Sequence, residues 1–243
     1  MEFIIERASS FAEDIDHLIL LIAILGGAWL FLAEFILFYF CYKFSRKRHP
    51  HADYITGEKH HEAKWIHWPH YAVIACDIVI IACTMPVWYK IKQTLPTAKD
   101  TVRIVAQQWA WTFVHPKTGT ELGSDTDLVL VDELHLKVDN VYHFKLESKD
   151  VLHSFSVPVF RLKQDAIPGR VITGWFTPTK VGQYDIQCAE MCGIGHGIMG
   201  AKLFVHTAED YDTWFGSTKG ANTIVHAGPV LEEPKKVEAE HHL

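Results

Sequence analysis

Cysteine is scarce in this chain. The 243 residues include five, and Cys41, Cys76 and Cys83 lie in apolar stretches, so no disulfide framework can organise the fold. No CxxCH sequence occurs, which excludes a haem c attached to this chain. Basic residues are also in deficit: 23 Lys and Arg stand against 29 Asp and Glu, a net charge of −6. A nucleic-acid partner is excluded, because that role needs a basic field. The first sixteen residues lack the basic cluster of a secretory signal, since Glu2, Glu6, Glu13, Asp14 and Asp16 outnumber Arg7, and cleavage is not expected. No fixed-period repeat is visible, and long hydrophobic runs are missing after residue 90. What is present is ample apolar mass, 49% hydrophobic against 21% charged residues, which excludes a wholly disordered chain. A mean hydropathy of +0.04 conceals a division into two unlike parts.

The first part is built for a membrane. Leu18 to Tyr42 contains one acid, Glu34, and at about 1.5 Å per residue spans roughly 37 Å. Tyr71 to Tyr89 forms a second run with one acid, Asp77, and aromatic residues at both ends, as an interfacial belt requires. The segment 43–70 between them carries Lys43, Arg46, Lys47, Arg48, Lys59 and Lys64, which places it in the cytoplasm and both chain ends on the opposite side. Its histidines, His49, His51, His60, His61, His67 and His70, are read as part of a solvated, partly helical loop rather than a metal store. Glu34 and Asp77 fit two roles equally, proton carriage or packing against a partner subunit. The expected division is an extracytoplasmic segment 1–16, a helical hairpin 17–90 with spans at about 18–42 and 71–89, a second domain 91–216, and a mobile tail 217–243 rich in charge, Gly and Pro.

After Lys90 the pattern turns to short β-rich runs: VRIVAQQWAWTFV, DLVLV, HLKVDNVYHFKLES, HSFSVPVF, RVITGWFTP, GQYDIQCA and GIMGAKLFVHT, separated by Gly, Pro, Asp and Asn turns. Many short strands at this spacing indicate a sandwich or closed barrel. Strand alternation through the first run would put Trp109 and Trp111 on one face and Ala110 on the other.

The strongest chemical signal is Cys188-Ala-Glu-Met-Cys192-Gly-Ile-Gly-His196-Gly-Ile-Met199, a CxxxCxxxHxxM spacing in one loop between two strand-like runs. Thiolate and thioether stabilise Cu(I) while imidazole accommodates Cu(II), so the set suits copper. His153, in Asp150-Val-Leu-His153-Ser-Phe at the start of another strand, is available as a further ligand. A Cys188–Cys192 disulfide would leave His196 and Met199 unexplained, and zinc has little use for a thioether. Two thiolates can each bridge two copper ions, which makes a dinuclear site the natural reading.

The motif, together with DVLHSF, DAIPGR and QWAW, resembles subunit II of the haem-copper cytochrome c oxidases, over roughly Phe11 to Phe215. That resemblance implies two N-terminal transmembrane helices, a helical hairpin, followed by an all-β cupredoxin-like Greek-key barrel domain. It implies a copper A centre bridged by Cys188 and Cys192, with His153, His196 and Met199 as terminal ligands and the Glu190 carbonyl completing one copper. The Glu190 side chain would face a magnesium ion shared with subunit I. Trp109 matches the aromatic patch where electrons from a separate cytochrome c arrive. Glu62 aligns with a cytoplasmic acid at the mouth of a proton pathway into subunit I. Lys163, Asp165 and Arg170 match a segment at the subunit I interface near the haem propionates. The haems and copper B would reside in subunit I, and the implied setting is a bacterial inner membrane or equivalent energy-transducing membrane. The implied partners are subunit I, other oxidase subunits and membrane lipid, with membership of a respiratory supercomplex left open.

Departures bear on the details. Ala110 stands where relatives carry an aromatic residue, Ser156 where many carry Trp, and acids only slightly outnumber bases between Lys90 and Phe215. Strong electrostatic steering of a very basic donor is therefore not implied. A copper A-containing nitric oxide reductase is the alternative within the same chemistry, and Glu62 favours the oxidase. A quinol oxidase subunit would lack the copper ligands. A copper-delivery protein would need neither DAIPGR nor two spans.

Overall fold

Two apolar stretches joined by a basic segment, then alternating β runs, build two units. The computed structural model describes residues 5–51, 55–116, 122–123 and 127–218. Residues 14–93 form one unit, and residues up to Glu13 join everything from Thr94 onward in the other. The tail beyond residue 218 lies outside the described residues.

In the first unit, helix α1 covers Ala12–Lys43 and α2 covers His60–Trp88, with the chain widening into a π turn over Tyr89–Gln93. Their 32 and 29 residues exceed the roughly 20 needed to cross a bilayer, so polar turns project from each apolar span. Neither span has a buried face within the chain, as expected of helices whose surroundings are lipid or a partner. Trp29 Nε1 approaches Cys76 Sγ at 3.4 Å between the helices, and Lys90 Nζ reaches Asp14 Oδ2 at 2.6 Å. The expected loop 43–70 is shorter than its composition suggested, because α2 begins at His60, well before the apolar run. Backbone hydrogen bonding does not require apolar side chains, and Glu62 in the first turn favours the positive end of the helix dipole.

The second unit is a pair of five-stranded sheets. The strands are β1 (Asp100–Gln107), β2 (Ala110–His115), β3 (Leu128–Val131), β4 (Glu133–Lys137), β5 (Tyr142–Ser148), β6 (His153–Val157), β7 (Leu162–Ala166), β8 (Ile172–Phe176), β9 (Gly182–Cys188) and β10 (Gly200–His206). One sheet runs β3-β2-β1-β5-β8 and the other β4-β10-β9-β6-β7. β1 pairs with β5 and β4 with β10 in parallel, and the other pairs are antiparallel. Phe155 of the second sheet meets Trp111, Phe113 and Phe144 of the first, with ring centroids 5.5, 6.3 and 6.3 Å apart. All four are fully buried, and aromatic contacts of this kind add to the hydrophobic gain. Gly174 is required on β8, where a Cβ would lie 2.2 Å from the Phe144 ring.

Three features differ from the sequence reading. The run VRIVAQQWAWTFV is two strands, since Gln107 pairs with Ala110 and the chain reverses at Gln108-Trp109. Trp109 therefore sits in a turn, 40% exposed, while Trp111 is wholly buried, and strand alternation does not relate them. The N-terminal segment is part of the β unit: Ala8 and Phe11 are buried, Ser9 Oγ donates to the Phe160 carbonyl at 2.9 Å, and Phe11 meets Trp175 edge-on. Finally, the domain closes with a helix, α3 (Ala208–Thr218), capped by Thr207 Oγ1, which accepts the Asp210 N–H at 3.2 Å.

Candidate metal centre

The donors come from two adjacent strands and one loop. His153 opens β6 and Cys188 closes β9, with Cys188 opposite Phe155 in the ladder. Residues 189–199 return to β10, and a bond from Cys188 N–H to the Met199 carbonyl at 3.1 Å closes the loop at its base. A short 3-10 turn, His196–Ile198, brings His196 back over the thiols. His153 Nδ1 lies 3.9 Å from Cys188 Sγ, the two Sγ atoms are 3.7 Å apart, and Cys192 Sγ lies 3.7 Å from His196 Nδ1 and 3.8 Å from Met199 Sδ. The Glu190 carbonyl is 3.3 Å from Cys188 Sγ. His153, Cys188, Cys192 and Met199 are buried and His196 is half-buried, so water is largely excluded.

These spacings suit a metal between the atoms rather than bonds among them. A disulfide needs sulfurs about 2.05 Å apart, and both cysteines are free. Burial, then the neighbouring Cys188 thiol, push the Cys192 thiol up to about 11. Two buried thiols side by side become thiolates readily only when a cation offsets their charge. Two sulfurs, a thioether, two imidazoles and a carbonyl are a donor set for copper, as the sequence implied.

The surrounding contacts orient this set. His153 Nε2 bonds Asp150 Oδ1 at 2.8 Å, which leaves Nδ1 available to a metal. Partial burial raises the Asp150 carboxyl, but the Gln108 N–H, the His153 ring and the Val151 N–H outweigh it, and the net shift is downward. Gln108 N donates to Asp150 Oδ2 at 2.7 Å. The Cys192 carbonyl accepts from Gln108 Nε2 at 2.8 Å and from Trp109 Nε1 at 3.1 Å. The indole lies flat enough on the loop that a Cβ at Gly195 would come within 2.4 Å of it. Sequence reasoning quoted Gln108 and Asp150 within motifs without giving them roles, and it missed Gly193 and Gly195. The Cys-Gly-x-Gly-His spacing was the available signal.

The other expected residues fall elsewhere. Glu190 is half-buried beside the thiols. Lys163 and Asp165 lie on the edge strand β7, and Arg170 is exposed beyond it. Glu62 belongs to the helical unit, where it accepts the Gly57 N–H at 3.0 Å and lies 3.8 Å from Lys59 Nζ. Ile194 on the metal loop is fully exposed, and Val151, Leu152 and Trp109 are partly so.

Residues 100–205 match the family described as cytochrome C oxidase subunit II, periplasmic domain. A probable cytochrome c oxidase subunit 2 from Rickettsia prowazekii is 30% identical over 222 residues, covering 85% of this chain and 69% of that protein. Cytochrome c oxidase subunit 2 from Thermostichus vulcanus is 43% identical over 130 residues, covering 54% of this chain and 36% of that protein. A solved periplasmic domain of subunit II of cytochrome oxidase from Bradyrhizobium japonicum is 28% identical with a TM-score of 0.46, covering 52% of this chain and 98% of that one. The fold and the donor set define a β domain preceded by two long apolar helices and carrying a cluster of soft donors able to hold a metal. This chain belongs to the cytochrome c oxidase subunit II family, with two apolar N-terminal helices ahead of a cupredoxin-like domain. It spans about a third of the length of some curated relatives, such as those from Thermostichus vulcanus and Synechocystis.

Proposed function

We propose that this chain is the subunit of a terminal cytochrome c oxidase that receives electrons from a separate cytochrome c and hands them to haem in subunit I. The convergence of two thiols 3.7 Å apart with two imidazole Nδ1 atoms, a thioether and a carbonyl, each within 4 Å of one of those thiols, carries the reading. Cys188 and Cys192 would bridge two coppers, with His153, His196, Met199 and the Glu190 carbonyl as the remaining ligands. When bound, such a centre supplies one-electron storage shared between two ions. The chain's own residues supply the rest. Asp150 fixes the His153 ring, burial of His153, both thiols and Met199 limits water at the donors, and closed backbone bonds hold them still, so little rearrangement would accompany a change of charge. Trp109 places an exposed π surface one hydrogen bond from the Cys192 carbonyl.

Two further roles rest on the resemblance. The Glu190 side chain is proposed to face magnesium at the subunit I interface, together with the polar segment Lys163, Asp165 and Arg170. Glu62 is proposed as the cytoplasmic mouth of a proton pathway, with Gly57 and Lys59 holding its carboxylate. The cellular place is the inner membrane of a bacterium or an equivalent energy-transducing membrane. Metal analysis and electron paramagnetic resonance of the purified complex test the centre. Two coppers per copy of this chain, and one unpaired electron coupled to both nuclei, are expected. A one-copper blue spectrum would overturn the dinuclear reading. Nitric oxide consumption without oxygen reduction would assign the chain to a copper A-containing nitric oxide reductase instead.

A further inference from the structure

The Cys192 carbonyl accepts two side-chain donors that are neighbours in sequence. Gln108 Nε2 reaches it at 2.8 Å and Trp109 Nε1 at 3.1 Å. A carbonyl oxygen has two lone pairs, and two donors occupy both and fix its direction. We propose that Gln108 is a positioning residue whose carboxamide orients the Cys192 carbonyl, and thereby holds the Trp109 indole against the metal loop. The proposal rests on the reading of Trp109 as the point where electrons arrive.

Gln108 is anchored on its other side as well. Its backbone N–H donates to Asp150 Oδ2, and the other Asp150 oxygen bonds His153 Nε2. One residue thus links the strand that presents a terminal imidazole to the loop that presents a thiol. The approach is close: Gly193 has φ +115°, and a Cβ there would lie 3.0 Å from Gln108 Nε2. Any side chain at 193 would press on the carboxamide, so the glycine and the glutamine fit each other. The carboxamide is neutral and does not touch a ligating atom, so its loss leaves the charge at the metal unchanged. It does leave the Cys192 carbonyl held by the indole alone. The backbone bond to Asp150 survives any substitution other than proline, so the His153 geometry persists.

The test compares Gln108→Leu, Trp109→Phe and the double variant in the full chain within the assembled complex. Gln108→Leu should keep wild-type copper content, absorption spectrum, reduction potential and donor KM, while electron transfer from cytochrome c slows about fivefold, the scale of one neutral hydrogen bond. The double variant should be no slower than Trp109→Phe, because both act through one carbonyl. In the metal-free chain, Gln108→Leu should speed hydrogen–deuterium exchange at the His196 and Ile198 amides several-fold. A wild-type transfer rate for Gln108→Leu, beside a slowed Trp109→Phe, would overturn the proposal alone. Multiplying effects in the double variant, or a shifted potential, would overturn it too. If Trp109→Phe itself is unaffected, the reading of Trp109 fails and this proposal with it. Gln108→Ala replaces the leucine variant if the latter disturbs the β1–β2 turn, with the same criteria.

Discussion

Cys192 and Met199 are neighbours at 3.8 Å but do unequal work. A thiolate between two cations offsets their repulsion, whereas a thioether is a weak terminal donor. Cys192→Ser should therefore lose the metal, and Met199→Leu should keep it with an altered reduction potential. Copper analysis and redox titration of both variants check the ranking, and loss of copper from both would contradict it. The two tryptophans of QWAW separate in the same way. Trp111, buried against Phe155 and His153, is a packing residue, and Trp111→Phe should cost about 1–2 kcal/mol of domain stability by denaturant unfolding. Trp109→Phe should leave stability nearly unchanged and slow electron transfer at constant copper content. At this scale the cluster of soft donors was legible, because such residues at fixed intervals have few other uses. The partners of those donors were not: Gln108 and Asp150 act through backbone and carboxylate contacts that no spacing encodes.

Among elements, the turn at Gln108-Trp109 was hidden because a run rich in β-branched and aromatic residues, with no Gly, Pro, Asn or Asp to mark a turn, reads as one strand. Helix α3 was overlooked although Thr207 and Asp210 stand three residues apart, a capping signal obscured by the strand before it. What docks α3 could be known only from the fold. Trp214 stacks on His135 with centroids 3.8 Å apart, His135 Nδ1 meets His206 Nε2 at 2.8 Å, and His115 meets Trp214 edge-on. Burial, then the other histidines, push His115 down to about 3 and His135 down to about 4. Burial also lowers His206, although Asp210 opposes it, and Glu133 lies 3.6 Å from His135. Both folded-state values lie below the ordinary histidine value of 6.5, so the unfolded chain binds more protons in the window between. Stability is fully present above pH 6.5 and is lost as pH falls toward 4. Thermal unfolding of the chain across that window should show a falling Tm, shallower in His135→Gln; a flat profile in the parent chain would show that the cluster does not titrate as described.

For the whole molecule, the basic residues between the spans predict a cytoplasmic loop. A cysteine placed at Arg48 should react with an impermeant reagent only from the cytoplasmic side, and one at Lys202 only from outside. The reverse pattern would remove Glu62 from the cytoplasmic proton supply. The presence of two apolar helices and a β-rich domain was legible, since apolar length and β alternation are long-range averages that survive local errors, whereas the packing of the N-terminal segment into the β unit was not. The character of the surface proposed to meet the donor depends on both composition and fold. The chain carries −6 overall, but the β domain is nearly balanced, and the Asp150 carboxylate is turned onto Gln108 and His153. That carboxylate is committed to hydrogen bonds and offers little to a lysine on a partner. Around it stand Ile194, fully exposed, with Trp109, Val151 and Leu152 partly so. Such a surface associates by removing apolar area from water, a term that salt does not screen. Steered pairs reach association rates on the order of 10⁸ to 10⁹ per molar per second and lose them as salt rises, whereas unsteered docking stays near 10⁵ to 10⁷. The KM for a cytochrome c donor should therefore change less than about threefold between low and physiological ionic strength. Ile194→Glu should raise KM about tenfold, the scale of placing a charge where docking would bury an isoleucine, while the rate at saturating donor stays nearly constant. A KM that climbs steeply with salt in the parent chain, together with an indifferent Ile194→Glu, would show that docking is electrostatic and centred on other residues.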